Sequence, residues 1–361
     1  MPSLRATIFQ KNTAALVPPL VSWILTKRCN MRCIHCYTCA GPAYRGKELN
    51  LAQQKEIIKQ LADDGVQGIF LSGGEALLLP HLFCLVDSIQ KLGMACWICT
   101  NGTLIDDNMS RKLASLGVAG VSVSVDSSES TVHDRFRLHA GAHFQALRAI
   151  ESLAEKGVTI NVDCTITKLN NDKLTELHTM VDSLGVKSVF FKRFRPLGRG
   201  FENRKKLALS KKNYFDAIVK LLEFHNYRAK GTEISFEDPS IYAYYRKQQR
   251  QDKLKMNGLY SQYGCLAGVA WLGIQPNGDI TPCPLLKISI GNITRTSLES
   301  AVMHSDKIRR IVNRDDRTGH CRTCDQRWQC GGCRAHAFTK GGDYLAEDPF
   351  CIYSFSERSI R

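Results

Sequence analysis

Strand-like and helix-like segments alternate through the first two hundred residues of this 361-residue chain. Short β-rich runs predict six strands, at 21–26, 67–71, 94–100, 120–125, 158–165 and 186–195. Amphipathic helical patterns lie between them, at about 51–64, 81–92, 107–116, 144–156 and 172–184. A glycine follows each helical pattern, as expected at a helix C-terminus. Strands joined by helical crossovers form parallel sheets. The pattern therefore predicts an α/β fold, either an open doubly wound sheet or a partial barrel.

In both architectures ligands bind at the carboxyl ends of the strands, and the first of these ends is followed by cysteines. Cys29, Cys33 and Cys36 come directly after the first predicted strand, separated by three and two residues. Three thiolates on a compact loop can hold three irons of a four-iron cluster and leave the fourth iron open to a ligand. The spacing also allows a zinc loop in which His35 or Cys39 is the fourth ligand.

A second group of cysteines lies near the C-terminus, in a region rich in glycine and proline that begins at about residue 264. Its members are Cys265, Cys283, Cys321, Cys324, Cys330, Cys333 and Cys351. Closely spaced pairs are typical of metal ligands, and iron–sulfur clusters or two zinc sites would both fit. The chain has fifteen cysteines and no signal-peptide pattern. Metal binding is therefore favoured over a disulfide framework, and a cytosolic location is expected.

Composition narrows the class of protein. With 43% hydrophobic residues, the chain is too apolar for disorder and long enough for one large or two ordinary domains. No apolar run approaches the roughly 18 residues of a membrane span. The 49 lysines and arginines exceed the 34 acidic residues, which gives a net charge of +15. This charge predicts an acidic partner, such as a nucleic acid, a phosphate or a polycarboxylate.

The first cysteine motif and four later segments, in this order, resemble the radical S-adenosylmethionine (SAM) superfamily over about residues 22–200. The four segments are 72–75, 100–103, 122–126 and 133–137. The resemblance implies a partial (β/α)6 barrel with a 4Fe-4S cluster on Cys29, Cys33 and Cys36. It also implies a set of SAM-binding residues, namely Gly73, Gly74, Glu75, Asn101, Ser124 and Arg137. Family members usually have glycine after this arginine, whereas this chain has Leu138.

Physical reasons support part of this SAM-binding set. Two adjacent glycines let a backbone come close to a ligand, and a carboxylate complements an ammonium group. The implied reaction begins when the open iron binds the amino and carboxylate groups of SAM. An electron then breaks a carbon–sulfur bond, and the 5′-deoxyadenosyl radical removes hydrogen from a substrate. The implied electron donor is a protein such as ferredoxin or flavodoxin.

The C-terminal cysteines, in the order C-x12-G-x4-C, C-x2-C-x5-C and C, resemble the SPASM extension of radical SAM enzymes. This extension holds two auxiliary 4Fe-4S clusters. By this likeness one cluster is bound by four residues, Cys321, Cys324, Cys330 and Cys351. The other is bound by Cys265, Cys283 and Cys333, with an unassigned cysteine, a carboxylate, water or the substrate as fourth ligand. Two residues, not three, separate the last close pair.

The predicted organisation follows from these motifs. Residues 1–20 form an N-terminal lead and residues 21–200 the radical SAM core barrel. Residues 201–260 form a basic helical connector, and residues 261–361 form a small, cysteine-rich SPASM domain.

The segment 330–351 resembles the branch that contains alternative haem and haem d1 biosynthesis enzymes and several peptide maturases. Arg193 and Arg195 share one face of a strand, so they are expected to anchor a polycarboxylate such as a porphyrin. A tetrapyrrole side chain is thus the preferred substrate, and a ribosomally made peptide is the alternative. Only 28 residues precede Cys29, too few for a leader-recognition domain.

Two other classes remain open at this stage. A nucleic-acid enzyme would fit the charge, but no RNA-binding module is recognisable, so nucleic acid is not expected. A basic zinc-binding interaction protein would explain the cysteines and the charge. It would not explain six strands alternating with helices.

Overall fold

A computed structural model of the protein describes residues 17–227, 231–247 and 263–354. Within these residues, ten strands form a single sheet. The strands are β1 (Leu20–Thr26), β2 (Gly68–Gly73), β3 (Ala95–Thr100), β4 (Gly120–Ser124), β5 (Ile160–Ile166), β6 (Ser188–Arg193), β7 (Glu233–Phe236), β8 (Trp271–Ile274), β9 (Asp279–Thr281) and β10 (Gly291–Asn292). Their order is β10-β9-β8-β1-β2-β3-β4-β5-β6-β7. The sheet therefore has two free edges and forms a partial barrel rather than a closed one.

The six predicted strands are confirmed as β1 to β6, and all of them pair in parallel with their neighbours. Their helical crossovers are α1 (Leu51–Asp63), α2 (Leu82–Lys91), α3 (Asp107–Ser115), α4 (Ser130–Arg137), α5 (Ala142–Glu155) and α6 (Leu174–Ser183). Local sequence explains their ends. Asn50 and Gln53 form a capping box at the start of α1. Gly65, beyond its end, takes a left-handed φ of 80°.

The barrel strands alternate between two faces, and β5 shows this most clearly. Its buried residues, such as Val162 and Cys164, pack in the hydrophobic core. Its half-buried residues, Asn161, Asp163 and Thr165, line a cavity inside the barrel. Because side chains alternate along a strand, one face of the sheet packs in the core while the other face is available to a ligand.

The sequence pattern does not predict the two strands that extend the barrel sheet at its edges. Strand β7 lies in the predicted helical connector and pairs in parallel with β6. Strand β8 lies in the predicted SPASM region and pairs in parallel with β1, and β9 adds to it antiparallel. Each of the first two has four residues, which is too short for a periodic signal. The boundaries at 201 and 261 stay predictions, but strands from both sides of them share the barrel sheet.

The remaining helices are shorter or lie outside the barrel crossovers. They are α7 (Arg199–Glu202), α8 (Arg204–Leu207), α9 (Lys211–Tyr227), α10 (Pro239–Lys247), α11 (Leu298–Met303), α12 (Asp306–Val312), α13 (His320–Thr323), α14 (Arg327–Cys330) and α15 (Arg334–Thr339). The longest of them, α9, lies in the predicted helical connector. Three predicted regions lie partly outside the described residues: 1–16 of the lead, 228–230 and 248–260 of the connector, and 261–262 and 355–361 of the SPASM domain. In the described part of the chain, no helix is long and apolar enough to span a membrane.

Candidate functional site

A cavity of about 570 Å³ lies inside the barrel and reaches the carboxyl ends of its strands. Cysteines from both predicted groups border it. They are Cys29, Cys33 and Cys36 from the first group and Cys265, Cys283 and Cys333 from the second. The sheet order explains this meeting, since β8 brings the C-terminal region alongside β1, whose end carries the first group. One chamber thus connects the two cysteine groups.

The segment 27–41, here called the cluster loop, carries the first three cysteines and is held by hydrogen bonds from Arg199. Arg199 Nε donates to the carbonyl of Cys33 at 3.0 Å, and its guanidinium also bonds the carbonyl of Ala40. The backbone N–H of Arg199 donates to the carbonyl of Cys36 at 3.0 Å. These bonds fix the backbone from which the thiols project into the cavity.

The thiols of the cluster loop are suited to a metal rather than to water. Cys29 and Cys33 are buried, and burial raises the pKa of Cys29 to about 12 and the pKa of Cys33 above its ordinary value. A buried thiol ionises readily only when a cation compensates the charge, and bound iron supplies that cation. The donor set therefore fits an iron–sulfur cluster, although the ligand roles stay predictions.

The two glycines of the 72–75 segment lie against the end of β1 and the start of the cluster loop. A Cβ on Gly73 would overlap the carbonyl oxygen of Thr26, and one on Gly74 would overlap the carbonyl oxygen of Arg28. Both glycines also line the cavity. Sequence reasoning explained them by the approach of a ligand, and the structure adds a second reason, the close packing of β2 on the loop.

Glu75 is fully buried and does not line the cavity. Its carboxylate accepts hydrogen bonds from Thr100 Oγ1 at 2.9 Å, from the N–H of Asn101 at 2.8 Å and from the N–H of Leu77 at 3.2 Å. Burial raises the pKa of this carboxyl, and the Asn101 bond opposes the rise. The geometry makes Glu75 a support for the end of β3, while its contact with SAM stays a prediction.

Asn101, Ser124 and Arg137 all line the cavity, at the ends of β3, β4 and α4. The Arg137 guanidinium pairs with Asp126 and lies 3.9 Å from Cys33 Sγ. Burial lowers the pKa of Arg137, but the neighbouring Asp126 and Cys33 raise it above its ordinary value. The cation is therefore kept charged beside the first cysteine group.

The backbone conformation of the residue after Arg137 explains why members of the superfamily usually have glycine there. Leu138 ends α4 in the left-handed region, with φ 50° and ψ 42°. A side chain in this conformation costs about 1–2 kcal/mol, which glycine avoids. The Leu138 side chain is exposed to solvent, so a clash in the interior does not add to this backbone cost.

The seven C-terminal cysteines separate into two groups. Cys265, Cys283 and Cys333 pack together beside the cavity. The other group is Cys321, Cys324, Cys330 and Cys351, whose members pack together or interact electrostatically away from the cavity. Among the described residues, no three metal-binding side chains converge closely enough to hold a single metal ion. The grouping matches the one implied by the SPASM resemblance, and the ligand roles stay predictions.

The arginines at the end of β6 do not form a free basic rim, which corrects an expectation from the sequence. Arg193 is buried, with NH1 at 2.9 Å from Asp238 and NH2 at 2.8 Å from Asp348. Arg195 NH1 lies 2.6 Å from Glu237. Acidic side chains from distant parts of the sequence form ion pairs with both guanidinium groups. Arg193 and Arg195 are therefore not free to bind a polycarboxylate substrate.

Sequence reasoning missed two features of the cavity wall. Lys192 Nζ lies 2.8 Å from Asp163 across β5 and β6. Phe70 stacks on Trp97, with ring centroids 4.6 Å apart, and contacts Trp271 at 4.8 Å. The alternation of β2 and β3 could have placed Phe70 and Trp97 on one face. No local signal places Trp271 beside them, because β8 joins the sheet more than 240 residues after β1 begins.

Comparisons with known proteins agree with this arrangement. The Radical SAM superfamily model matches residues 23–182, and the model of an iron–sulfur cluster-binding domain, SPASM, matches residues 265–325. The AdoMet-dependent heme synthase of Methanosarcina barkeri (strain Fusaro / DSM 804) is 30% identical over 346 residues, which cover 93% of this chain and 97% of that protein. The chain belongs to the radical SAM superfamily.

Membership makes the chain an iron–sulfur enzyme that uses SAM (AdoMet) with a 4Fe-4S cluster, and it rules out the zinc-binding interaction protein. The pre-heme d1 synthase of Dinoroseobacter shibae (strain DSM 16493 / NCIMB 14021 / DFL 12) is 29% identical over 353 residues, covering 94% of this chain and 87% of that one. The crystal structure of Streptococcus suis SuiB bound to precursor peptide SuiA superposes with a TM-score of 0.74. Its sequence identity is 17%, with 93% of this chain and 76% of that chain covered. This last likeness supports the fold alone.

Proposed function

We propose that this radical SAM enzyme modifies a side chain of a haem-type tetrapyrrole. The observation that carries the proposal is the match to a haem synthase, at 30% identity over 93% of the chain. The second relative, a pre-haem d1 synthase, covers 94% of the chain and also acts, by its name, in haem-type synthesis. Two such matches across both the barrel and the cysteine-rich region favour a shared class of substrate.

The cavity wall supports a flat aromatic substrate. Phe70 and Trp97 stack with an interplanar angle of 9°, and Trp271 extends this apolar surface. A conjugated macrocycle can stack on such a surface and gain from excluding water.

Lys192 borders the same cavity, paired with Asp163. The Lys192 side chain is 32% exposed, whereas Arg193 and Arg195 are buried within their ion pairs. In this proposal the Lys192 ammonium group binds a carboxylate of the substrate while Asp163 remains a second partner.

The residues of the cavity then have distinct roles. Cys29, Cys33 and Cys36 would hold the cluster, which together with SAM would supply the radical chemistry that removes a hydrogen atom from the substrate. The SAM pocket is formed by Gly73, Gly74, Asn101, Ser124 and Arg137, with Glu75 positioning Asn101 through its backbone N–H. The barrel wall orients the substrate and keeps water from the radical.

The C-terminal cysteines are proposed to hold two auxiliary clusters with different tasks. The group of Cys321, Cys324, Cys330 and Cys351 supplies four thiolates away from the cavity, which suits an electron relay. The group of Cys265, Cys283 and Cys333 borders the cavity and supplies three, which leaves one iron for another ligand. The two groups are close, because Asp348 contacts Cys321 through its N–H and Cys333 through its carboxylate.

Incubation of the anaerobically reconstituted enzyme with SAM, dithionite and candidate substrates tests the proposal. We expect a change of mass in a carboxylated porphyrin, together with formation of 5′-deoxyadenosine, and no change in a panel of peptides. The Cys33→Ala variant is the matched control, since it should leave the porphyrin unaltered. Modification of a peptide with every porphyrin unchanged would replace this function by that of a peptide maturase.

We also propose that an acidic electron-carrier protein, such as a ferredoxin or a flavodoxin, docks beside the cluster loop. Helices α7 and α8 lie against the loop, since Asn203 between them donates to the carbonyl of Ile34 at 3.2 Å. Phe201 on α7 is exposed, and Arg204, Lys205 and Lys206 on α8 are exposed as well. An apolar contact within a basic surface fits an acidic partner, and docking here brings its redox group close to the cluster.

The charge of α8 should control reduction by the protein donor. In a variant with Arg204→Glu, Lys205→Glu and Lys206→Glu, we expect at least tenfold weaker donor binding and a loss of its salt dependence. SAM cleavage driven by dithionite should be unchanged, because dithionite needs no docking surface. The control reverses three exposed lysines on α1 and α2, namely Lys55, Lys59 and Lys91. If donor binding is weakened equally in both variants, binding depends only on the overall charge of the enzyme and not on α8.

A further inference from the structure

Arg195 places a charged hydrogen-bond donor directly on a cysteine of the cavity-side group. Its Nε lies 3.0 Å from Cys333 Sγ, and both side chains are buried. Charged donors contact sulfur at other predicted ligands over longer distances, with Arg137 at 3.9 Å from Cys33 and Arg334 at 3.8 Å from Cys321. The contact at Cys333 is therefore the shortest of these three arginine–sulfur contacts and the strongest hydrogen bond among them.

The guanidinium of Arg195 is held in this position by three further bonds. NH1 donates to Glu237 at 2.6 Å and to the carbonyl of Arg193 at 3.2 Å, and NH2 donates to the carbonyl of Glu237 at 3.4 Å. Glu237 follows β7, which pairs with β6. The sheet itself thus fixes the direction of Nε, and the planar group cannot turn away from the sulfur without breaking several bonds.

Reduction adds one negative charge to an iron–sulfur cluster. A hydrogen bond to a ligand sulfur and a nearby cation both stabilise the added charge, more strongly where water is excluded. We propose that Arg195 is a positioning residue that raises the reduction potential of the auxiliary cluster on Cys265, Cys283 and Cys333. The inference rests on the proposed function of these three cysteines. A higher potential makes this cluster the better acceptor for an electron that arrives from the cavity.

The test is a redox titration of the reconstituted holoenzyme, followed by electron paramagnetic resonance of the auxiliary clusters. In Arg195→Gln, we expect the ratio of reduced to oxidised cluster at a fixed potential to fall at least tenfold, about 59 mV for a one-electron couple. Arg195→Lys keeps the charge but loses the planar fork, so its shift should be smaller. Arg148→Gln, which changes an exposed arginine on α5, should titrate like the wild type.

A second variant keeps the inference testable if Arg195→Gln does not fold. Glu237→Gln removes the carboxylate that partly neutralises the guanidinium, so the potential should move in the opposite direction. The iron content of Cys283→Ala distinguishes a wrong ligand assignment from a wrong role for Arg195. If Cys283→Ala loses no iron, both the ligand assignment and this inference are wrong. If Cys283→Ala loses about four irons, but Arg195→Gln and Glu237→Gln titrate like the wild type, only the inference about Arg195 is wrong.

Discussion

The Cys33→Ala variant is expected to form no 5′-deoxyadenosine, and this is the largest effect that the structure leads us to expect. Cys33 is the middle thiol of the cluster loop, borders the cavity and lies near Arg137. With only Cys29 and Cys36 left at the cavity, the cluster loses a ligand, and the remaining thiol of the loop, Cys39, is exposed and does not line the cavity. We expect about four fewer irons per chain and SAM cleavage at background. Iron analysis and chromatography of the nucleoside product measure both effects.

Two other cysteine variants serve as controls for Cys33→Ala. Cys84 is exposed on α2, so Cys84→Ala should keep full iron content and full SAM cleavage. Cys324 belongs to the group away from the cavity, so Cys324→Ala should still bind SAM but lose substrate turnover. Sustained SAM cleavage by Cys33→Ala would overturn the assignment of the cluster loop, and normal turnover by Cys324→Ala would remove the relay.

The Asp348→Ala variant is expected to disrupt the C-terminal region, because Asp348 is the buried anion on which several groups depend. Its carboxylate lies 2.8 Å from Arg193 and accepts from the N–H of Cys333 at 3.0 Å and that of Phe350 at 3.0 Å. Its own N–H lies 3.4 Å from Cys321 Sγ. The pKa of Asp348 is held well below its usual range: burial opposes this, but Arg193 and His336 outweigh it.

Removal of one partner from a buried ion pair typically costs about 3–5 kcal/mol, since the other charge is left uncompensated. Arg193 keeps Asp238 as a partner, but two buried N–H groups also lose their acceptor. We therefore expect loss of the auxiliary iron and rapid proteolysis after residue 263, with β1 to β6 retained. Asp348→Asn keeps a hydrogen-bond acceptor but not the charge. Its iron content and its resistance to proteolysis should lie between those of the wild type and of Asp348→Ala.

The control for Asp348→Ala is Asp87→Ala. Asp87 pairs with Lys91 on the exposed face of α2, and such pairs contribute only about 0.3–0.5 kcal/mol. Iron content and proteolysis should therefore match the wild type. If Asp348→Ala behaves in the same way, the link between β6 and the C-terminal region does not depend on this carboxylate.

The barrel was predictable because its signals are local. Each of the strands β1 to β6 is an apolar run bounded by turn residues, and each crossover is an amphipathic helix followed by glycine. The spacing of Cys29, Cys33 and Cys36 is also local, so their position at the end of β1 followed at once. Ordered motifs after β2, β3 and β4 then carry the resemblance to the superfamily.

The partners of the basic residues were not predictable in this way. The sequence shows Arg193, Arg195 and Arg199 close together in one basic run, and the pattern predicts Arg193 and Arg195 as substrate anchors. In the fold Arg193 pairs with Asp238 and Asp348, and Arg199 clamps the cluster loop. These contacts join residues up to 166 positions apart, and no periodicity or spacing encodes them.

The sequence by itself determined the class of chemistry, the parallel barrel and the cysteines that could carry metal, because each depends on short-range pattern. Only the tertiary structure decided that three cysteines from each group border one cavity, that aromatic rings line it and that the arginines at the end of β6 are already paired with carboxylates. The physical reason is that β7 and β8 are too short to be stable alone. They form because the barrel edges offer them hydrogen-bond partners, and with them come Glu237, Trp271 and the C-terminal cysteines.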